Sequence, residues 1–139
     1  MREDEGMSSR SAVAVAVCQF APTASRHDNL ERIGALTADA AARGARLVVF
    51  PEYSSYFVDP MDETLTENAE TLDGAFVSTL TGLAGEYGVV IVAGLVENAS
   101  DDRHVRNTLV AVRGDGIIAT YRKQHLYDAF GQTESDWIE

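Results

Sequence analysis

The 139-residue sequence has a single cysteine, Cys18, which excludes an internal disulfide and a zinc site built from several cysteines. The sequence is also short of positive charge, because 11 lysines and arginines stand against 22 aspartates and glutamates, a formal net charge of -11. Such a surface repels nucleic acid and anionic membranes, and no basic patch offsets it, so neither is an expected partner. No run approaches the roughly 18 apolar residues of a membrane span.

The sequence does have the composition of a folded protein, with 45% hydrophobic and 24% charged residues. A chain of this length forms one domain that buries roughly two thirds of its unfolded surface. Residues 1–10 are polar and lack periodicity, so we interpret them as a flexible tail before a domain of residues 11–139. The acidic leader is unlike a secretory signal, and together with the lone cysteine it favours a cytoplasmic location.

The first half of the domain alternates strand and helix patterns. Residues 11–22 form an apolar, β-branched run that predicts a strand buried on both faces. Residues 27–45 predict a helix that opens on a capping box made by Asp28 and Glu31. Its apolar stripe comprises Leu30, Ile33, Thr37 and Ala41. Residues 46–50 predict a second strand, which a crossover connection makes parallel to the first.

The second half begins, after a long loop, with a helix that Asp73 is expected to cap. The apolar stripe of this helix comprises Phe76, Leu80, Leu83, Ala84 and Tyr87. Residues 89–97 predict a third strand, and residues 106–123 predict a hairpin that turns at the pair Asp115-Gly116. Residues 124–139 are polar and predict a loop. The fold class is therefore mixed α/β.

Two ionisable side chains follow predicted strands at their carboxyl ends, where loops of α/β sheets collect functional groups. Glu52 closes the stretch VVFPE after the second strand, and Lys123 closes the hairpin. A buried carboxylate there can accept a proton from a nucleophile, and an ammonium can stabilise an oxyanion. We therefore expect Glu52 to be buried, and we expect Glu52 and Lys123 to form half of a hydrolytic site. The alternatives are a solvated carboxylate and a surface cation.

The segments VAVCQFAPT, NLERI, GARLVVFPEYS, YRKQHLYD and TES, in this order and spacing, resemble the carbon-nitrogen hydrolase (nitrilase) superfamily. The resemblance covers about residues 12–139 and is to the amidase-like branch. It implies an α-β-β-α sandwich, of which this chain is similar to the amino-terminal half. It also implies hydrolysis of the C–N bond of a small amide, or of a nitrile, through a covalent thioester or thioimidate. Full-length members generally form homodimers.

The resemblance implies roles for three residues of this sequence. Glu52 matches the general base, Lys123 matches the lysine that stabilises the tetrahedral intermediate, and Glu134 matches the glutamate that holds this lysine and the substrate. The family's cysteine nucleophile lies further downstream and Cys18 does not match it, so we expect the chain alone to be inactive. The resemblance implies no cofactor and no metal. The expected partners are a second copy or a complementary C-terminal half.

Other chemistries fit the sequence less well. We interpret Cys18 as a small buried hydrophobe, because no cation or helix amino terminus is evident beside it. A serine triad lacks the Gly-x-Ser-x-Gly turn; its members would be Ser54 or Ser55, His125 and Asp128. A metal site is disfavoured because the histidines are dispersed at positions 27, 104 and 125. A different class of function also stays open, a non-catalytic module whose exposed sheet pairs with a partner.

Overall fold

The structure is a computed structural model that describes residues 12–130 and 132–139. The tail predicted for residues 1–10 lies outside the described residues. The elements in chain order are β1 (Val15–Val17), α1 (Arg26–Ala42), β2 (Leu47–Val49), α2 (Thr64–Glu67), α3 (Ala75–Tyr87), β3 (Val90–Asn98), β4 (Val105–Arg113), β5 (Gly116–Arg122), β6 (Asp128–Ala129), β7 (Gln132–Thr133) and a short 3-10 helix (Glu134–Asp136).

Strands β1 to β5 form one sheet in the order of the sequence. Strands β1, β2 and β3 are parallel neighbours, whereas β4 is antiparallel to β3 and β5 is antiparallel to β4. The predicted crossover and hairpin are therefore confirmed. The positive φ of the hairpin falls on Gly116, at 126°, where the absence of a Cβ makes it tolerable.

One face of the sheet is covered by α1 and α3, which also contact each other. Side chains of alternate parity point to this face, because the side-chain period of a strand is two. We call the resulting cluster the main core; its fully buried members include Ile33, Val48, Phe76, Leu80, Ile91, Leu95, Val110 and Val112. It is built from the apolar stripes that the sequence predicts.

The opposite face of the sheet, here called the open face, carries apolar side chains that the described residues leave exposed. Val15, Val17, Leu109 and Tyr121 are 52%, 83%, 40% and 54% exposed. The prediction that the first strand is buried on both faces is wrong for this reason. The helices cover the Ala16 side of β1, and Val15 and Val17 lie on the other side.

The helix caps differ from the predicted ones. Ser25, and not Asp28, is the N-cap of α1, and its side chain accepts a hydrogen bond from the Asp28 backbone N–H. At α3 the N-cap is Gly74 rather than Asp73, and the side chain of Glu70 accepts from the Phe76 N–H at 3.1 Å. In both cases an oxygen from outside the helix satisfies an otherwise unpaired N–H, which is the physical requirement that a cap meets.

The last segment is not the loop that the sequence predicts. Strands β6 and β7 pair with each other, and Ile138 is 3% exposed and bridges to Val105. Ile138 belongs to a second hydrophobic cluster, which we call the loop cluster, with Tyr53, Tyr56, Leu65, Val96 and Val105. Loop residues therefore form a small core of their own beside the sheet. None of the helices in the described ranges is both long enough and apolar enough to cross a bilayer.

Candidate active site

Glu52 lies where the chain leaves β2 and crosses β3. The Phe50 N–H donates to the carbonyl of Val92 at 2.8 Å, and the Gly94 N–H donates to the carbonyl of Pro51 at 3.2 Å, so the chain stays on the sheet beyond the strand. A Cβ at position 94 would lie 2.9 Å from the Cα of Glu52, so only glycine allows this close approach. The predicted position of Glu52 after the second strand is confirmed.

Lys123 follows β5 directly, and its backbone N–H donates to the carbonyl of Asn107 at 2.9 Å. The preceding residue is anchored, because the guanidinium of Arg122 donates two hydrogen bonds, of 2.8 and 2.6 Å, to the carboxylate of Glu97. The side chain of Glu97 is 6% exposed. A bidentate ion pair of this kind fixes direction as well as position. It therefore holds the end of β5, and with it the backbone of Lys123, in place.

The structure brings the three predicted site residues together. The Nζ of Lys123 donates to Glu52 Oε1 at 3.1 Å and to Glu134 Oε1 at 2.9 Å. Burial lowers the pKa of Lys123, but the hydrogen bonds to Glu134 and Glu52 outweigh it and hold this pKa above its ordinary value. The lysine is therefore an ammonium at neutral pH. Within the part of the chain that the structure describes, two of its three N–H groups are engaged, which leaves one for a further acceptor.

Glu134 begins the 3-10 helix and is 6% exposed. Its Oε1 accepts from the hydroxyl of Tyr53 at 2.6 Å, and its Oε2 accepts from the backbone N–H of Tyr127 at 2.7 Å. Burial raises the pKa of Glu134, but the hydrogen bonds from Tyr53, Tyr127 and Lys123 outweigh it and hold this pKa below its ordinary value. Glu134 is therefore a fully hydrogen-bonded anion at neutral pH.

The environment of Glu52 is different. The side chain is 53% exposed, so the expectation that it is buried is wrong for the described chain. Its Oε1 accepts from the amide Nδ2 of Asn107 and from Lys123, and no hydrogen bond to its Oε2 is recorded among the described residues. The carboxylate lies on the open face, since Asn107 and the missing Cβ of Gly94 point to that side. One oxygen of Glu52 is thus available for proton transfer.

Two cavities meet at Glu52 and Lys123. The first, of about 560 Å³, is lined by Glu52, Pro60, Met61, Lys123, Tyr127, Thr133, Glu134 and Trp137. The second, of about 460 Å³, extends along the open face and is lined by Glu52, Gly94, Asn107, Thr108, Leu109, Tyr121, Lys123 and His125. Mixed apolar walls with a few convergent polar groups are typical of sites for small molecules.

Cys18 lies on the other side of the sheet from Glu52. It follows β1 and packs against the main core, beneath the helices. Burial raises the pKa of the Cys18 thiol, and the negative charge of Asp39 raises it further. A nucleophilic cysteine requires the opposite shift, because the thiolate is the reactive form. The structural interpretation of Cys18 is consistent with both observations.

The two serines of the alternative triad are buried. Ser54 and Ser55 are 0% and 1% exposed. The hydroxyl of Ser54 donates to the carbonyl of Pro51, and the hydroxyl of Ser55 accepts from the Val96 N–H, so both serve the backbone. One group of possible metal ligands, His27, Asp28 and Glu31, lies on the surface of α1. All three side chains are exposed, as surface charges without a metal commonly are.

Three supporting residues are missed by reasoning from the sequence. Tyr53, Asn107 and the backbone of Tyr127 provide hydrogen bonds to the two glutamates. Tyr53 and Asn107 are distant in sequence from their partners, and Tyr127 reaches Glu134 across the turn between β6 and β7. One signal in the sequence could have identified Tyr53, because this residue directly follows Glu52. A buried aromatic with a polar tip beside an ionisable group is a reasonable hydrogen-bond donor to test.

Known proteins match most of this chain. The family model described as carbon-nitrogen hydrolase matches residues 14–139. The hydrolase Rv0480c of Mycobacterium tuberculosis is 40% identical over 111 residues, which is 77% of this chain and 38% of that protein. Deaminated glutathione amidase of Homo sapiens is 33% identical over 119 residues, 82% of this chain and 36% of that protein.

Solved structures show the same fold. The NitFhit protein of C. elegans superposes with a TM-score of 0.78 at 23% identity, covering 93% of this chain and 34% of that chain. A C145A mutant of an amidase of the nitrilase superfamily from Nesterenkonia AN1 gives a TM-score of 0.75 at 22% identity, covering 91% and 47%. The expected nitrilase-type fold is confirmed, with one helix layer and one sheet layer in the described residues.

The chain belongs to the carbon-nitrogen hydrolase family. It spans less than half the length of the relatives named above, with 38% of the mycobacterial hydrolase and 36% of the human amidase covered.

Proposed function

We propose that the chain carries the carboxylate and ammonium part of a site that hydrolyses the C–N bond of small amides. In this proposal Glu52 is the general base, Lys123 stabilises the oxyanion, and Glu134 holds Lys123. The observation that supports it is the Lys123 ammonium between two carboxylates, at 3.1 and 2.9 Å. Membership of the carbon-nitrogen hydrolase family and relatives named as amidases favour an amide as the substrate.

The proposed reaction uses each group once in acylation and once in deacylation. Glu52 takes the proton of a thiol while the sulfur attacks the amide carbon, and the remaining N–H of Lys123 donates to the carbonyl oxygen as it becomes negative. Glu52 then gives the proton to the leaving nitrogen, the C–N bond breaks, and ammonia leaves while a thioester remains. In the second half Glu52 takes a proton from water, whose oxygen attacks the thioester, and the sulfur leaves with that proton.

We further propose that the nucleophile is supplied from outside these 139 residues. Cys18 is the only cysteine of the sequence. Its partly buried side chain packs against the main core on the helix side of the sheet, whereas Glu52 and Lys123 line cavities on the open face. The proton of the Cys18 thiol is thus separated from its proposed acceptor by the sheet. The purified chain alone is expected to hydrolyse no amide.

The test is ammonia release from simple amides, ω-amides and nitriles by the purified chain and by the protein isolated from its native cell. We expect no turnover by the chain, and turnover by a native protein whose intact mass clearly exceeds 15.0 kDa. Glu52→Gln and Lys123→Met in that longer protein should each abolish turnover. Thiol-dependent turnover by the 139-residue chain that disappears in Cys18→Ala would refute the proposed source of the nucleophile.

A second candidate function is a non-catalytic module that pairs through the open face with itself or with a separately encoded second half. The observation that favours it is the exposure of Val15, Val17, Leu109 and Tyr121 on one sheet face. A native mass of 15.0 kDa together with a dimer or hetero-complex on sizing chromatography would support it. A monomer that binds no hydrophobic dye would contradict it.

A further inference from the structure

The residue after Glu52 has an unusual backbone conformation. Tyr53 has a φ of 56°, in the left-handed region that side chains other than glycine rarely adopt. Its side chain is buried, at 6% exposed, although the neighbouring Glu52 side chain is 53% exposed. Because of the left-handed conformation at Tyr53, the Tyr53 side chain lies in the interior while the Glu52 side chain is exposed to solvent. Such strain persists only where the surrounding structure holds it in place.

The surroundings of this turn do hold it in place. A Cβ at position 94 would lie 2.5 Å from the backbone nitrogen of Tyr53, so the turn rests directly on the backbone of β3. The Gly94 N–H donates to the Pro51 carbonyl at 3.2 Å, and the Ser55 N–H donates to the Gly94 carbonyl at 3.1 Å. Both ends of the turn are thus fixed to one residue of the sheet.

The buried hydroxyl of Tyr53 reaches a residue 81 positions further along the chain. It donates to Glu134 Oε1 at 2.6 Å, the same oxygen that accepts from Lys123 Nζ at 2.9 Å. The Tyr127 N–H occupies the other oxygen. The carboxylate that holds the lysine is therefore oriented from the turn that presents Glu52. One rigid turn sets the positions of both carboxylates that flank the ammonium.

We propose that Tyr53 is a positioning residue of the site, whose hydroxyl fixes the Glu134 carboxylate so that the Lys123 ammonium is held beside Glu52, where it can donate to the developing oxyanion. This inference deepens the proposed function and rests on it. The competing explanation is that the Tyr53 hydroxyl makes this hydrogen bond only because a buried donor needs an acceptor, with no effect on the site. A measurement that responds to the carboxylate and not to stability separates the two.

The sequence supplies an unusual probe for this measurement, because Lys123 is its only lysine. Lysine labelled with 13C at Cε gives one NMR signal, which senses the ionisation of both neighbouring glutamates. A Glu52→Gln background leaves Glu134 as the carboxylate that contacts Lys123. In that background Tyr53→Phe is expected to move the acidic titration midpoint sensed by Lys123 upward by about one pH unit, since a hydrogen bond to a charged acceptor is lost.

Tyr56→Phe is the matched control. Tyr56 is 4% exposed, also belongs to the loop cluster, and its hydroxyl donates to Thr64 Oγ1 at 2.7 Å, outside the site. The two variants should lose similar amounts of stability, but Tyr56→Phe should leave the Lys123 midpoint unchanged. An unmoved midpoint in Tyr53→Phe, or equal movement in both variants, would overturn the positioning role.

A measurement that keeps Tyr53 covers the case in which Tyr53→Phe does not fold. In the Glu52→Gln background with tyrosine labelled with 13C at Cζ, the Tyr53 signal should change with the same acidic midpoint as the Lys123 signal, because both contact Glu134 Oε1. Two different midpoints would contradict the proposal. None of these experiments depends on turnover, so a negative result leaves the hydrolase proposal intact, and a lack of amidase activity leaves the titration result standing.

Discussion

The main core and the loop cluster are built by different means and hold different parts of the molecule. The main core joins regular helices and strands, whose apolar stripes recur at the period of each element. The loop cluster joins β3 and β4 to irregular segments, with Tyr53, Tyr56 and Ile138 as buried members. All three side chains that form the ammonium-carboxylate cluster lie outside the strands of the five-stranded sheet. The fold therefore depends on the first cluster, and the geometry of the site depends on the second.

The sharpest test of this difference compares a large truncation in each cluster. Phe76→Ala in the main core should cost about 3–5 kcal/mol of unfolding free energy, and Ile138→Ala in the loop cluster about 2–5 kcal/mol. Both residues are buried, at 0% and 3% exposed. Hydrogen exchange separates them. Phe76→Ala should accelerate exchange across the sheet, and Ile138→Ala mainly near β6 and β7. Equal acceleration of the sheet in both variants would contradict two separable clusters.

Two glycine substitutions test the junction between the clusters. Gly94→Ala places a Cβ 2.5 Å from the backbone nitrogen of Tyr53, and backbone atoms must move, so we expect a loss of about 1–3 kcal/mol. The control is Gly82→Ala in α3, whose Cβ meets nothing within 4 Å. Alanine there should stabilise the helix by about 0.5–1 kcal/mol. Thermal or denaturant unfolding of both variants measures these changes, and destabilisation by both would remove the special role of position 94.

Acid should destabilise the protein by protonating Glu97 and Glu134, two carboxylates that are hydrogen-bonded in the folded chain. Burial raises the pKa of Glu97, but hydrogen bonds from Arg122 and Thr108 outweigh it and hold this pKa below its ordinary value, as in Glu134. A depressed pKa gives stability that is complete above the unfolded value, about 4.3, and lost as pH falls through the folded value. Unfolding free energy should therefore fall steadily below about pH 4.3.

Glu97→Gln is expected to flatten part of this acid dependence while destabilising the protein at neutral pH, because Arg122 loses its charged partner. Glu86→Gln, on the exposed surface of α3, is the matched control and should leave the stability at neutral pH nearly unchanged. An unchanged acid slope in Glu97→Gln would show that the ion pair does not carry this pH dependence.

The smallest expected effect concerns Cys18, on the main-core side of the sheet. Because burial and Asp39 raise the pKa of its thiol, Cys18 should react with a disulfide reagent more slowly than a free cysteine at neutral pH. The rate should keep rising above pH ~8.5, the ordinary thiol value. Fast reaction at neutral pH would reopen the assignment of Cys18 as a structural residue.

Sequence patterns were sufficient to predict the elements whose signal is local. Periodicity identifies α1, α3 and the five strands of the sheet, and the segments around Glu52, Lys123 and Glu134 identify the family and the three residues that the structure brings together. Local patterns succeed here because an apolar stripe or a strand must bury one face wherever it occurs. The β6–β7 hairpin is missed because its two-residue strands have no such period.

How these parts meet could be seen only in the folded chain. The exposure of β1 on the open face and the contact of Tyr53 with Glu134 each depend on which segments become neighbours. The physical reason is that a hydrogen bond or a buried surface belongs to a pair of groups, and the second member of each pair here is distant in sequence or lies across a turn. The sequence names the charged residues, and the packing determines their separations and exposure.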